Sequence, residues 1–307
     1  MISICIPAYK NIDYLKRLMD SIAAQTFKDF EVIISDDSPD DSIKKFLAEY
    51  QKFPRLVYHR NTVALGTPEN WNEGIRKANG KWIKIMHDDD WFSNKKSLAL
   101  WAKAANLSGA DFIFCAYNNV YLGKNSQHQV HPTRFRLDLM KEEPYTLFAK
   151  NIIGPPSVTM HRNNQNLFYD NKTKWVVDID FYIRWLKELK VEYLDKVLIN
   201  VGMSEEQVTV DCVNNRKVQV PENFYLLNKM GRKKLNNLII YDAWWRLIRN
   251  LEITAIEHIK ESGYDGEIPR NIVRMVGMQR LLPRKLLTVG VMSKICMFVH
   301  YLFRSKD

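Results

Sequence analysis

The chain has 307 residues, with 45 Lys/Arg against 35 Asp/Glu and a net charge of +10. Apolar residues make up 46% and charged residues 26%, a balance that excludes a disordered chain, a collagen-like fibre and a small disulfide scaffold. Its four cysteines, Cys5, Cys115, Cys212 and Cys296, form no C-x-x-C pair, so neither a zinc site nor a disulfide framework is expected, and reduced thiols in a cytosolic compartment fit best.

The opening MISICIPAYK turns polar too quickly for a secretory leader. No apolar run reaches the roughly 18 residues of a membrane-spanning helix. Residues 2–6 are apolar and stop at Pro7, the pattern of a buried strand. Ile12, Leu15, Leu18, Met19, Ile22 and Ala23 recur at helical spacing over 12–25. Residues 31–35 (EVIIS) form a second strand and run into the polar turn DDSPDD. A helix is expected over 41–52, a strand over 55–59, and a helix over 68–79 with Pro68 in its first turn. Residues 82–86 read as a fourth strand leading into His87-Asp88-Asp89-Asp90. A helix over 94–107 and a strand over 111–116 follow. The pattern then loosens, with a strand at 157–161 and a helix at 178–189 standing out. Beyond about 222 the chain reads as helix: 222–236, 238–262, 269–281 and 285–303.

Strands alternating with helices across short connections predict an α/β fold, a doubly wound and mainly parallel sheet, followed by a C-terminal helical extension. Pro221 is the expected boundary. Ligands of such sheets bind beyond the carboxyl ends of the strands. Those ends carry Pro7-Ala8-Tyr9, Asp36-Asp37 and the acidic triplet Asp88, Asp89, Asp90.

Three successive carboxylates repel one another at a buried strand end. A hard divalent cation removes that cost, and Mg²⁺ or Mn²⁺ binds one or two carboxylates together with substrate phosphates. A solvated acidic turn ahead of the next helix is the alternative. Asp36-Asp37-Ser38 suits hydrogen bonds from ribose hydroxyls or a base N–H, or capping of the following helix. No G-x-x-x-x-G-K-[ST] and no G-x-G-x-x-G occurs. Phosphate charge must therefore meet a metal or Lys/Arg.

The blocks Ile4-Cys5-Ile6-Pro7-Ala8-Tyr9-Lys10-Asn11, Gln25-Thr26, Phe30 to Ser38, Arg60-Asn61, Asn72, Ala78-Asn79-Gly80 and His87-Asp88-Asp89-Asp90 resemble, in order and spacing, the N-terminal part of family 2 glycosyltransferases. The resemblance implies a GT-A fold and transfer of a sugar from a nucleotide donor with inversion at the anomeric carbon, usually with Mg²⁺ or Mn²⁺. By position it implies Pro7, Tyr9 and Asp36 around the donor's base, and Asp88 and Asp89 at ribose and diphosphate. Asp90 is the implied metal ligand. His87 stands where the family's Asp-x-Asp-Asp has its first Asp. Val177-Asp178-Ile179-Asp180 with Arg184 resembles the segment carrying the family's base, which implies Asp178 as general base, with Asp180 its near competitor. Ser204 to Thr209 weakly resembles a loop that closes on the diphosphate. The implied organisation is a catalytic domain over 1–220, its first 115 residues handling the donor and 116–220 the acceptor, and a basic helical extension over 221–307.

Residues 221–307 hold 15 Lys/Arg against 8 Asp/Glu, so +7 of the +10 lies there. A nucleic-acid binder spreads basic charge over its main domain, so no nucleic-acid partner is expected. Residues 281–304 mix cations with Leu, Ile, Val, Met and Phe. That stretch suits either an in-plane helix on an anionic membrane or packing against the catalytic domain. The expected partners are a nucleotide-sugar donor and a saccharide or lipid-linked acceptor. The expected location is the cytoplasm, at the inner face of the cell membrane. Two rival functions are a sugar-nucleotide nucleotidyltransferase, which needs a Gly-rich basic loop that Pro7-Ala8-Tyr9-Lys10 is not, and a non-catalytic basic membrane-binding module.

Overall fold

The computed structural model describes residues 1–50, 53–124, 126–204 and 212–304. Ser204 closes the described part of the segment expected to act as a loop over the diphosphate; Glu205 to Thr209 lie outside the described residues. The chain forms two compact units.

The first unit spans residues 1–142, 152–171 and 180–207. It opens with β1 (Ile2–Ala8), α1 (Ile12–Ala23), β2 (Phe30–Asp36), α2 (Ser42–Glu49), β3 (Leu56–Arg60), α3 (Glu69–Arg76) and β4 (Trp82–Ile85). All seven residues of β2 are buried, as expected of a parallel strand covered on both faces. The four strands are parallel in the order β3-β2-β1-β4. Their register aligns the carboxyl ends: Ala8 lies opposite Asp36, Asp36 opposite Arg60, and Cys5 opposite Ile85. This alignment gathers residues 7–9, 36–38, 60–61 and 86–90 at one edge of the sheet.

The amino-terminal edge is held by buried Glu31. It accepts hydrogen bonds from the Ser3 hydroxyl (2.5 Å), Asn79 N (2.7 Å) and Gly80 N (3.1 Å). Those bonds hold its carboxyl below the usual range against the opposing pull of burial.

The unit continues with β5 (Trp91–Phe92), α4 (Ser97–Leu107), β6 (Phe112–Tyr121), β7 (Ser126–Val130), α5 (Arg134–Glu142), β8 (Thr159–Arg162) and β9 (Val191–Met203). The full order is β3-β2-β1-β4-β8-β6-β9-β5, with β7 on β6. Most of the paired length is parallel, including the long β6–β9 ladder. β8 runs antiparallel between β4 and β6, and β5 antiparallel to β9.

Several boundaries differ from the sequence expectation. α4 starts at Ser97 rather than 94, because Asn94 Oδ1 accepts from Lys96 N (2.9 Å) in a local turn. The fifth expected strand runs on to Tyr121. β7, α5 and β9 were not expected. β9 hides its period because Asp195 and Lys196 interrupt the apolar residues and the ladder slips its register between Cys115 and Tyr117.

α6 (Val177–Leu186) begins in the second unit, which holds residues 143–151, 172–179 and 208–307. Its described helices are α7 (Arg216–Met230), α8 (Leu238–Asn250), α9 (Ile256–Glu261), α10 (Arg270–Leu281), α11 (Arg284–Thr288) and α12 (Gly290–Leu302). Pro221, expected at a boundary, lies inside α7, whose N-terminus is set earlier by Asn215 accepting from Lys217 N (3.1 Å). The expected long helices 238–262 and 285–303 are each broken in two. Trp244 and Trp245 are buried, Trp244 against Phe148 and Phe224 with ring centroids at 5.8 and 4.8 Å.

α12 packs through Ser293, Met297 and His300. Ser293 Oγ accepts from Trp245 Nε1 (3.1 Å), and His300 Nδ1 meets the Tyr241 hydroxyl at 2.7 Å. Its other face leaves Val291, Ile295, Phe298, Val299 and Leu302 exposed. Among the described residues no helix is long and apolar enough to cross a membrane. Among the described residues no disulfide joins the cysteines; Cys5, Cys115 and Cys212 are buried, and Cys296 on α12 is half-buried.

Candidate functional site

The chain leaves β1 at Pro7-Ala8 and turns at Lys10, whose φ of 62° is left-handed. Lys10 N donates to Ser38 Oγ (2.8 Å) and Asp37 N to Ala8 O (3.0 Å). Two expected donor segments are thereby tied side by side. Pro7 is half-buried, and Tyr9 is exposed with Lys10 Nζ 4.6 Å from its ring centroid.

Asp36 is fully buried. Its Oδ1 accepts from Ser38 N and its Oδ2 from the Tyr58 hydroxyl, both at 2.8 Å. Each oxygen keeps one further lone pair. Asp37, to which the sequence assigns no separate role, accepts from Asn61 Nδ2 (2.7 Å), Leu65 N (3.0 Å) and Gly66 N (2.8 Å). It fixes the 61–66 loop beside the strand ends.

The acidic triplet follows β4. His87 N donates to Ser157 Oγ (2.9 Å) and Asp90 N to His87 O (3.1 Å), which closes a tight turn. Asp90 is buried. Its Oδ1 accepts from Gly202 N of β9 (3.0 Å), while its Oδ2 is buried with no hydrogen-bond partner. Burial, then the charge of Asp89, pushes the Asp90 carboxyl well above the carboxylate range. The same two causes, in the same order, push Asp88 up to about 7, against the Tyr9 N–H that its carboxylate accepts.

Two cations face this turn. Arg17 of α1 donates to Asp89 O (2.8 Å) and lies 4.1 Å over the Trp91 ring. Lys84 of β4 is fully buried and donates to Ser157 O. Burial pushes its ammonium down to about 7, against the attraction of Cys115 and Asp90.

One ligand atom each from His87, Asp89 and Asp90 lies within 4.8 Å of the others. This oxygen-rich set, with one buried carboxylate oxygen that has no hydrogen-bond partner at good geometry and only the Ser157 hydroxyl bearing on the same carboxylate, fits a divalent cation.

Gly202, Lys84 and Arg17 were not singled out from the sequence. Gly202 carries a specific requirement: a Cβ there would lie 2.4 Å from Asp89 O. Gly202→Ala is expected to displace the turn at the cost of about 1–3 kcal/mol of overpacking. Divalent-cation affinity should fall about tenfold or more, read by titration calorimetry. Unchanged affinity would remove the strand β9 from the account of this site.

Asp178 belongs to the second unit, in the first turn of α6. Its Oδ1 accepts from Ile179 N and its Oδ2 from Asn151 Nδ2, both at 2.9 Å. Burial pushes its carboxyl up to about 6, although these hydrogen bonds pull the other way. Glu222 of α7 accepts from Lys174 N, Trp175 N and Val176 N at 2.7–3.2 Å, holding the chain that leads into α6. Asp180, the competitor, is buried and paired with Arg184 Nε at 2.9 Å.

The sequence profile described as "Glycosyl transferase family 2" matches residues 3–168. WcaA of Escherichia coli K12, named for colanic acid biosynthesis, is 27% identical over 219 residues, covering 68% of this chain and 75% of the relative. S. aureus TarS 1–349, solved in complex with UDP-GlcNAc, aligns with a TM-score of 0.66 at 18% identity over 98% of this chain and 89% of that one. This chain spans 54% of the longer TarS chain. The mannosyltransferase PcManGT of Pyrobaculum calidifontis, solved with GDP-Man and Mn²⁺, aligns with a TM-score of 0.57 at 14% identity over 98% and 87% of the two chains. At these identities the structural likeness establishes a common fold.

Proposed function

The chain belongs to glycosyl transferase family 2 and has a GT-A fold, and from that premise we propose that it is a metal-dependent, inverting enzyme. In this proposal it moves a hexosyl or deoxyhexosyl group from a UDP- or dTDP-sugar to a hydroxyl of a saccharide or lipid-linked saccharide in surface-polysaccharide synthesis. The observation that carries it is the unmatched Oδ2 of Asp90 among the ligand atoms of the strand-end turn. Relatives solved with UDP-GlcNAc, and with GDP-Man and Mn²⁺, support a sugar-nucleotide donor and a divalent ion. The name of WcaA supports a polysaccharide setting.

Asp90, with Asp89, would hold Mg²⁺ or Mn²⁺. The ion would neutralise charge developing on the departing nucleoside diphosphate. Pro7 and Tyr9 flank the base, Asp36 accepts from it, and Asp88 and Asp89 face ribose and diphosphate. Asp178, aimed by Asn151, takes the proton of the acceptor hydroxyl. The acceptor oxygen attacks the anomeric carbon from the face opposite the leaving group, so the configuration inverts. A panel of sugar nucleotides, with Mn²⁺ or with a chelator, tests this. One UDP- or dTDP-sugar should raise the melting temperature and be hydrolysed slowly in a metal-dependent way. No response to any donor would overturn the proposal.

The proposed organisation keeps donor and acceptor handling in 1–220 and attachment in 221–307. The proposed setting is the cytoplasm, with peripheral contact to anionic membrane through 281–304. The exposed apolar face of α12 and the neighbouring Arg284, Lys285, Lys294 and Arg304 support it. Ile295→Asp with Phe298→Asp removes two apolar anchors worth about 1.5–3 kcal/mol each when fully buried. Binding to phosphatidylserine vesicles should drop at least about tenfold. Equal cosedimentation of variant and parent would refute attachment through this face.

A further inference from the structure

We infer that His87 is a nitrogen ligand of the bound divalent ion and biases the site toward Mn²⁺ over Mg²⁺. The inference rests on the proposed metal site and concerns one side chain within it.

His87 Nδ1 lies 4.0 Å from the unmatched Asp90 Oδ2. That is too long for a hydrogen bond. Two donors each about 2.1 Å from one ion are separated by about 3.0 Å at a right angle and about 4.2 Å when opposed. The gap falls inside that range. The third ligand atom comes from Asp89, and the three lie within 4.8 Å of one another, so the set must draw in slightly around an ion.

The imidazole is also held in position. Its backbone is fixed at both ends by Ser157 Oγ and Asp90 N. Its ring lies 4.8 Å from the Trp71 ring centroid.

The chemical consequence is selectivity. Mg²⁺ keeps to oxygen ligands, whereas a nitrogen ligand adds affinity for first-row transition ions, least for Mn²⁺ and more along the series from Mn²⁺ to Co²⁺. A turn offering one nitrogen and two carboxylates therefore gains more from Mn²⁺ or Co²⁺ than from Mg²⁺.

The test uses the full chain with Mn²⁺ and UDP. Electron spin-echo envelope modulation should show a directly coordinated imidazole nitrogen on the Mn²⁺. In His87→Asp that modulation should vanish. The ratio of Mn²⁺ to Mg²⁺ affinity, by calorimetry in the presence of UDP, should fall at least about tenfold. Mn²⁺ bound by the unaltered chain without nitrogen modulation would overturn the role of His87 and leave the proposed function standing. Failure of Mn²⁺ and UDP to bind at all would overturn both. The unaltered chain is itself decisive through its modulation, so the inference stays testable even where His87→Asp does not fold.

Discussion

Asp178→Asn is expected to lower turnover by about 10²–10⁴-fold, the range that a positioned general base contributes, while donor affinity by calorimetry stays within about twofold of the parent. The substitution keeps the side chain's volume and one oxygen to accept from Ile179 N. It replaces the oxygen that takes the proton with an amide, and Asn151 keeps its contact by turning its own carbonyl oxygen toward that amide. The parent's kcat/KM should rise as pH climbs through about 6, where Asp178 ionises, and the variant should lose that limb.

The stability sign is opposite. Burial raises the folded-state pKa of Asp178, so its proton favours the folded chain below the unfolded value, and that contribution is lost as pH rises through about 6. At neutral pH the variant, with no charge to bury, should melt at or above the parent. Turnover within tenfold of the parent would refute the assignment of the base, and the buried and paired Asp180 would be the next residue to replace.

The second large effect is expected at Asp90. Asp90→Asn keeps an oxygen for Gly202 N but replaces the unmatched Oδ2 with an amide that cannot ligate a cation. Loss of the principal ligand of an ion worth several kcal/mol to charge stabilisation should weaken Mn²⁺-dependent UDP binding by about 100-fold or more. Relief of a buried carboxylate should hold or raise the melting temperature measured without metal. A variant that binds UDP as tightly as the parent, with the same Mn²⁺ dependence, would show that the ion is held elsewhere.

The parallel half of the sheet was legible because its strands are covered on both faces. That leaves uninterrupted apolar runs such as EVIIS, each ending in a polar cluster. The triplet and Asp36 stood out because charge at the end of such a run has few structural uses. Asp178 was legible only through the family pattern, since its partner Asn151 belongs to a stretch with no periodic signal.

What was hidden depends on pairing between distant segments. Gly202 meets Asp90 across 112 residues of sequence. Ser157 reaches His87 across 70. Gly202 has no local pattern, because a small residue at a crowded crossing leaves no hydrophobic trace, and the block ending at Ser157 carries no sign of its reach to His87. Lys84 lies inside the expected strand 82–86, and nothing in that run signals that its ammonium is fully buried. Edge strand β7 was missed because most of its residues face solvent and carry no alternation.

The distribution of thiols supplies a built-in reporter. Three of the four cysteines are sealed in the interior, and Cys296 sits on α12 between Ile295 and Met297. Reagents react with thiols in proportion to their access and ionisation, so a maleimide dye will mark Cys296 ahead of the others without any engineering. Its emission would then register whether that helix meets lipid, a second protein or water alone.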